Sequence, residues 1–389
     1  MSHSSTSTGS AVIEQLRASD ERTRRAVLST VAEPGDVKIA RLVEDHGVLG
    51  TLELIASPDL APEFHARLFP RLLRADPEAD FVRMKLLGAR LLIPGDLEWP
   101  SQLNDLGPSS PWALWVRGEA DLRLAMLRSV AIVGARACTP YGSRIASDLS
   151  SELAMSGWTI VSGGAFGIDS AAHRGALAGD GVTAAVLACG VDVAYPPRNE
   201  NLFDHISRAG FLVSEVAPGA VPHRARFLVR NRVIAALTRG TVVIEAALRS
   251  GSLSTARAAQ ELNRPVVGTP GPITSSLSSG VHQILRNGAV VVTSAAEIIE
   301  AVGELGCDLA PLLKGSNGHL DQLDPLTRRV LDAMPSRGVR SAGDIARDAG
   351  VTPSEVLISL TLLELEGFIR RRDGGWCLIR HAVMGGAPR

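Results

Sequence analysis

Residues 227–259 read FLVRNRVIAALTRGTVVIEAALRSGSLSTARAA, and their order decides the fold. An arginine-rich helical segment leads into a strand-like run headed by β-branched residues (241–246). That run ends in a serine–glycine loop (250–255) that opens another helix. Strand, small-residue loop and helix in this order form the unit of a parallel sheet, whose ligands sit at the carboxyl ends of its strands. Small residues ahead of a helix also leave backbone N–H groups free to hold an anion. From Val216 to Gln260 there are seven arginines (Arg224, Arg226, Arg230, Arg232, Arg239, Arg249 and Arg257) against one acid, Glu245. The whole chain carries a formal charge of −1. A local excess on a neutral protein marks a focused anion site rather than a generally basic surface.

The same alternation recurs on both sides of this stretch. Short apolar runs at 129–134, 158–162, 183–188, 211–214, 241–246, 265–268 and 289–292 predict strands. Segments such as 141–155 and 168–178 fill the gaps as helices. Strands apolar on both faces belong to a sheet covered by helices. The reading is α/β: a Rossmann-like, doubly wound, mostly parallel sheet over residues 96–303. Apolar residues at helical spacing predict a small all-α domain over 13–95, after a Ser/Thr-rich tail (1–12) expected to be disordered. A linker (304–322) leads to helices at 325–334, 341–349 and 353–366 and a hairpin around Asp373-Gly374. That pattern is a winged helix (323–381), followed by a tail (382–389). Its third helix holds three glutamates and no arginine or lysine, which suits a protein contact or weak backbone contact better than base reading. Nine basic and nine acidic residues over 320–380 leave the domain neutral, with its basic character confined to Arg370-Arg371-Arg372.

Composition removes several classes of function. The four cysteines (Cys138, Cys189, Cys307, Cys377) are widely separated, which argues for reduced thiols and against a zinc site. No apolar stretch approaches the ~18 residues of a span, so a cytoplasmic protein without membrane contact is expected. The only lysines are Lys38, Lys85 and Lys314, which leaves none for a P-loop and makes arginine the sole long cation in the middle of the chain. Neither a metal-binding motif nor a nucleophile elbow occurs, and the glycine loops depart from the dinucleotide fingerprint. No cofactor and no metal are expected.

The candidate site gathers at predicted strand ends. Arg136 follows Gly134 at the end of the first strand and suits a phosphate. Ser162, Gly163, Gly164 and Gly167 form a backbone nest before a helix, and Asp169 and His173 lie four apart on that helix. They suit either an acid/base pair or a carboxylate orienting a histidine, and no catalytic role is assigned to them. Ser250, Gly251, Ser252 and Thr255 repeat the loop after another strand. Phe227 suits a stacked base or a core position, and Asn231 sits between Arg230 and Arg232. If that segment is helical, the two arginines point to nearly opposite sides and only one faces the crevice.

In this order, Gly-Ala-Arg136, Ser-Gly-Gly-Ala-Phe-Gly-Ile-Asp169 with His173, Cys-Gly-Val-Asp-Val-Ala-Tyr-Pro196, Phe-Leu-Val-Arg-Asn-Arg232, Ser-Gly-Ser-Leu-Ser-Thr255 and Pro-Gly271 resemble the DprA/Smf family of DNA-processing proteins. The resemblance covers roughly residues 95–300. It implies a non-catalytic protein that binds single-stranded DNA in a basic pocket, commonly dimerises, and loads RecA recombinase in DNA uptake and recombination, with single-strand-binding protein a further partner. By position the pocket would use Arg136, the 162–167 loop, Phe227, Arg230, Asn231, Arg232 and the 250–255 loop. Family members often add lysines around the pocket, and this chain has none there. The alternative is a phosphoribohydrolase similar to the LOG family. That family's Pro-Gly-Gly-x-Gly-Thr loop is replaced here by Ser-Gly-Ser-Leu-Ser-Thr255.

Overall fold

The computed structural model describes residues 2–58, 60–304, 308–310, 323–335, 338–372 and 374–379. The chain divides into two compact units, Met1–Pro311 and Leu312–Arg389.

The first unit opens with helices α1 (Ser2–Ala18), α2 (Glu21–Val31), α3 (Val37–Ala56), α4 (Pro62–Leu72) and α5 (Pro77–Leu86). Strands β1 (Ala89–Leu92) and β2 (Leu114–Arg117) and a short α6 (Leu122–Met126) follow. Then strand and helix alternate: β3 (Ser129–Val133), α7 (Pro140–Met155), β4 (Thr159–Ser162), α8 (Ile168–Ala178), β5 (Thr183–Leu187), α9 (Glu200–Ala209), β6 (Phe211–Ser214) and α10 (Arg224–Leu237). The unit continues with β7 (Thr241–Val243), α11 (Ser252–Glu261), β8 (Val266–Gly268), α12 (Ser279–Arg286), β9 (Val290–Val291) and α13 (Ala295–Val302).

The nine strands form one sheet in the order β1-β2-β6-β5-β4-β3-β7-β8-β9, parallel from β6 to β9 and antiparallel at β1 and β2. Alternation of side chains across the pleat splits the apolar strands between two cores. Val130, Ile132 and Ile160 pack with α7, α8 and α13, whereas Ala131, Val133 and Val161 pack with α10, α11 and α12. The winding reverses between β3 and β7, so their carboxyl ends diverge and open a crevice at this switch point.

In the N-terminal region one expectation is corrected and one boundary shifts. Residues 2–12 are not a disordered tail but belong to α1, which continues into Ile13 and Leu16, both buried against α2, α3 and α4. The N-terminal region is helical as expected through α5, but its boundary falls earlier than residue 95, because β1 (Ala89–Leu92) pairs with β2 and extends the sheet. Polar contacts fasten the rest. Arg22 forms a two-pronged pair with Asp96, at 2.7 and 2.9 Å, and Arg25 donates to Trp112 O at 2.9 Å. Trp115 Nε1 donates to Ser29 Oγ at 3.2 Å. Sequence periodicity cannot see such cross-chain contacts.

The second unit holds α14 (Pro325–Asp332), α15 (Ala342–Ala349), α16 (Pro353–Leu365), β10 (Ile369–Arg372) and β11 (Gly375–Leu378), packed on Val330, Ile345, Leu360, Leu363 and Phe368. Arg340 adds a bridge to Trp376, which completes the small sheet of a winged helix. A capping box joins Thr352 and Glu355 at the start of α16. Of the expected linker only 304 and 308–310 are described. Asp373 of the hairpin turn, Cys307 and residues 380–389 lie outside the described residues.

The α2–α3 turn is tied to α10 by Glu33. This carboxylate accepts from Arg226 Nε (2.7 Å) and Nη2 (2.9 Å) and from Arg71 Nη1 (2.9 Å). The two guanidinium groups, Arg226 foremost, hold its pKa down to about 2 from an ordinary 4.5, against the opposing effect of burial. A depressed carboxylate stabilises the folded state above its unfolded pKa and stops doing so as pH falls through the folded value. Contacts of the α2–α3 turn should therefore persist at pH 5 and fail between pH 4.5 and 2. Glu33→Gln should remove that dependence at a cost on the order of 1 kcal/mol, the group being partly exposed. Hydrogen exchange of residues 31–40 against pH checks both points. Unchanged protection at pH 2 would count against the tie.

Candidate nucleic-acid interface

A cavity of about 420 Å³ lies at the switch point, bordered by the segment after β3 (Gly134 to Ala137), the start of α8, the face of α10 and the loop before α11. Arg136, Asp169, Phe227, Arg230, Asn231, Ser250, Gly251, Ser252 and Thr255 all line it. These candidates come from four parts of the sequence. The N-caps of α8 and α11 are Gly167 and Gly251, and neither helix start carries a side-chain cap. The positive ends of two helices therefore border the cavity, that of α8 with the Asp169 carboxyl in its first turn and that of α11 with no acid in its first turn.

Arg230 forms the floor. It is buried and donates from Nη1 to Gly163 O at 2.8 Å and to Val186 O, two carbonyls at or beside the carboxyl ends of β4 and β5. Burial lowers its pKa to about 10, which leaves the guanidinium charged at neutral pH, and nearby Asp169 favours that charge. Asp169 itself is raised above the ordinary carboxylate range, because burial outweighs the attraction of Arg230. Asn231 locks the loop, since its Nδ2 donates to Ser254 Oγ (2.7 Å) and Gly251 O (3.2 Å). Ser250 Oγ and Ser252 Oγ lie 2.7 Å apart.

The rim differs from the floor. The Arg136 guanidinium lies over the Phe227 ring at 4.8 Å, and the Tyr195 ring stands on Phe227 at 5.7 Å between centroids. Arg136 and Arg249 are exposed, and among the described residues neither forms an ion pair. Arg249 and Tyr195 were not singled out from sequence. Arg249 entered only the count of arginines, and Tyr195 only as part of a quoted motif.

Six candidates do not line the cavity. Ser162 Oγ donates to Ile132 O at 2.7 Å inside the sheet. At Gly163 a Cβ would stand 2.4 Å from the Arg230 guanidinium, so the glycine makes room for the arginine rather than for a ligand. A Cβ on Gly164 would face the Phe203 ring at 2.7 Å, on the α9 side. Gly167 has φ +78°, and a Cβ there would meet Ala135 O at 2.3 Å, so this glycine permits the turn into α8. His173 is fully buried with Nδ1 2.7 Å from Thr183 Oγ1, and burial depresses its pKa to about 3, leaving it neutral. No acid/base pair with Asp169 forms across the cavity. Arg232 leaves α10 on another side and grips Glu215 through two bonds of 2.7 Å.

The arginine excess shrinks accordingly. Arg226, Arg232 and Arg239 are paired with Glu33, Glu215 and Glu304, and Arg230 is spent on carbonyls. The lone acid of the stretch, Glu245, is buried and accepts from Thr139 N (2.8 Å) and Thr139 Oγ1 (2.6 Å), holding the cap of α7. In the second unit α16 exposes Leu357, Ile358, Leu362 and Leu365, so its outer face is apolar as well as acidic. No helix among the described residues is long and apolar enough to cross a membrane. No group of His, Cys, Asp or Glu side chains among them could hold a metal ion.

The first unit is a doubly wound sheet with a cation-lined cavity at its switch point, and the second is a winged helix. Residues 90–303 match the family described as DNA recombination-mediator protein A, and residues 316–375 match the DprA winged helix domain. The putative DNA processing protein DprA of Mycobacterium tuberculosis is 40% identical over 91% of this chain and 94% of its own. Protein Smf of Escherichia coli is 38% identical over 75% of this chain and 78% of its own. The X-ray structure of DprA from Streptococcus pneumoniae superposes with a TM-score of 0.60 at 32% identity, covering 72% of this chain and 96% of that one. The chain belongs to the DprA/Smf family of DNA-processing proteins.

Floor and rim should separate on substitution. Arg230→Ala removes two charge-assisted hydrogen bonds of about 1.5 kcal/mol or more each and should lower stability by at least about 3 kcal/mol. Arg136→Ala, at an exposed position, should stay within about 0.5 kcal/mol of the parent. Urea unfolding of the two variants checks this, and equal stabilities would show that Arg230 does not carry the floor.

Proposed function

We propose that the chain binds single-stranded DNA at the switch-point cavity and passes it to RecA recombinase, with no bond-breaking step of its own. The observation that carries this reading is the row Arg136–Phe227–Tyr195 at the rim. It sets a cation with no ion pair over one aromatic ring and a second ring against that one, the kinds of group that a phosphate and an unstacked base require. Duplex bases are already stacked on each other and cannot reach Phe227, so single strands are preferred. Backbone, guanidinium and ring contacts read no base edges, so binding tolerates sequence. The loading of RecA, the displacement of single-strand-binding protein, homodimer formation and a cytoplasmic setting rest on the family resemblance. The phosphoribohydrolase alternative loses its best acid/base pair, since His173 bonds Thr183 inside the core while Asp169 faces the cavity.

Fluorescence anisotropy with labelled oligonucleotides at several salt concentrations tests the reading. Arg136→Ala and Arg249→Ala should each lower the magnitude of the salt slope by about 0.7, one phosphate on a single strand. Phe227→Ala should cost about 1–3 kcal/mol of affinity. The parent protein should speed RecA assembly on strands coated with single-strand-binding protein and return nucleoside monophosphates unchanged. Tighter binding to duplex than to single strands, or release of free base, would overturn the proposal.

A further inference from the structure

A second cavity, of about 300 Å³, adjoins the first across α10. Leu228 lines both, and it is exposed. The sill between them is the Asn231–Ser254 bridge, with Asn231 on the first cavity and Ser254 on the second. The far cavity is lined by Arg257, Arg232, Ser109, Glu261 and Gly35 of the α2–α3 turn. Arg232 is committed to Glu215, whereas Arg257 is exposed and, among the described residues, unpaired. Glu261 stands one turn beyond Arg257 on α11 without an ion pair to it.

We infer that a nucleic-acid strand seated in the first cavity continues over Leu228 into the second, where Arg257 takes a further phosphate. This inference rests on the single-strand reading of the first cavity. The two cavities, joined at an exposed apolar side chain, make one groove between α10 and α11. Leu228 offers an apolar seat for a base face, and Arg257 a cation beyond it. Gly35 places the α2–α3 turn at this end, so the N-terminal helices form one wall. A Cβ on Gly35 would stand 3.0 Å from Val229 Cγ1 and 3.3 Å from Arg232 Nε, which shows how closely that wall is seated. Glu261 repels phosphate and sets the limit of the groove on α11.

The inference makes affinity depend on strand length in a way that single residues control. Oligothymidylates of about 4 and about 16 nucleotides, the range of single-strand grooves, serve as short and long probes. The parent protein should bind the long probe more tightly, with a salt slope steeper by about 0.7 or more. Arg257→Glu should leave the short probe unaffected and erase most of the gain with length. Glu261→Arg should raise affinity for the long probe alone. Both positions are exposed, so the variants should fold, and circular dichroism verifies this. A length gain that survives Arg257→Glu, a loss equal for both probes, or no length gain in the parent overturns the inference. Arg136→Ala is the separate control. If it weakens neither probe, the reading of the first cavity fails rather than its extension.

Discussion

One buried guanidinium organises the core of the site and the helix above it. Strands β4 and β5 end beside the crevice, and Arg230 donates there to two backbone carbonyls, Gly163 O and Val186 O. A buried hydrogen-bonding group left unpaired costs about 1–3 kcal/mol, so these bonds offset part of the desolvation of the buried guanidinium. The arrangement works only if residue 163 has no side chain, since a Cβ would occupy the guanidinium's place. With Arg230 anchored, the rotation of α10 about its axis is set. The helix repeat then carries Phe227 to the rim, Arg232 to Glu215 and Arg226 to Glu33.

The same anchoring sorts the positive charge. A guanidinium paired with a carboxylate at 2.7 Å contributes little field to an incoming phosphate, whereas an exposed, unpaired one contributes its full charge. The seven arginines of residues 216–260 therefore act unequally. Three are in ion pairs, one satisfies carbonyls, and Arg249 reaches the cavity as a free cation alongside Arg136 from another strand end. Glu245 does not dilute that charge where it matters, because it is turned under Thr139 to hold the start of α7. The cavity combines a structural cation below with recruiting cations above, and the two differ in what their removal does.

Much of the fold was legible from pattern alone. Apolar runs such as 129–134 and 241–246 are too short for helices and apolar on both faces, and small-residue loops follow several of them. Those facts alone imply a parallel sheet with its ligand at the strand ends. Glycine 167, followed at once by a helix, marks a turn that an L residue resists, and it is found with φ +78°. The opposite directions of Arg230 and Arg232 follow from 100° per residue once α10 is helical.

Tertiary contacts decided the rest. Asp169 and His173 share a helical face, but α8 runs down across the sheet. One turn carries the side chain from the wall of the cavity beside Arg230 to the start of β5, where His173 meets Thr183. The sequence of α8 records the shared face and not the depth. Whether an arginine is free or paired was equally hidden, because its partner is supplied by distant segments, as Glu33 is for Arg226 across 193 positions. Local periodicity determined the elements and the loops at which chemistry gathers. Burial and pairing, which depend on what the rest of the chain brings alongside, decided which of those residues hold the structure together and which remain free to bind.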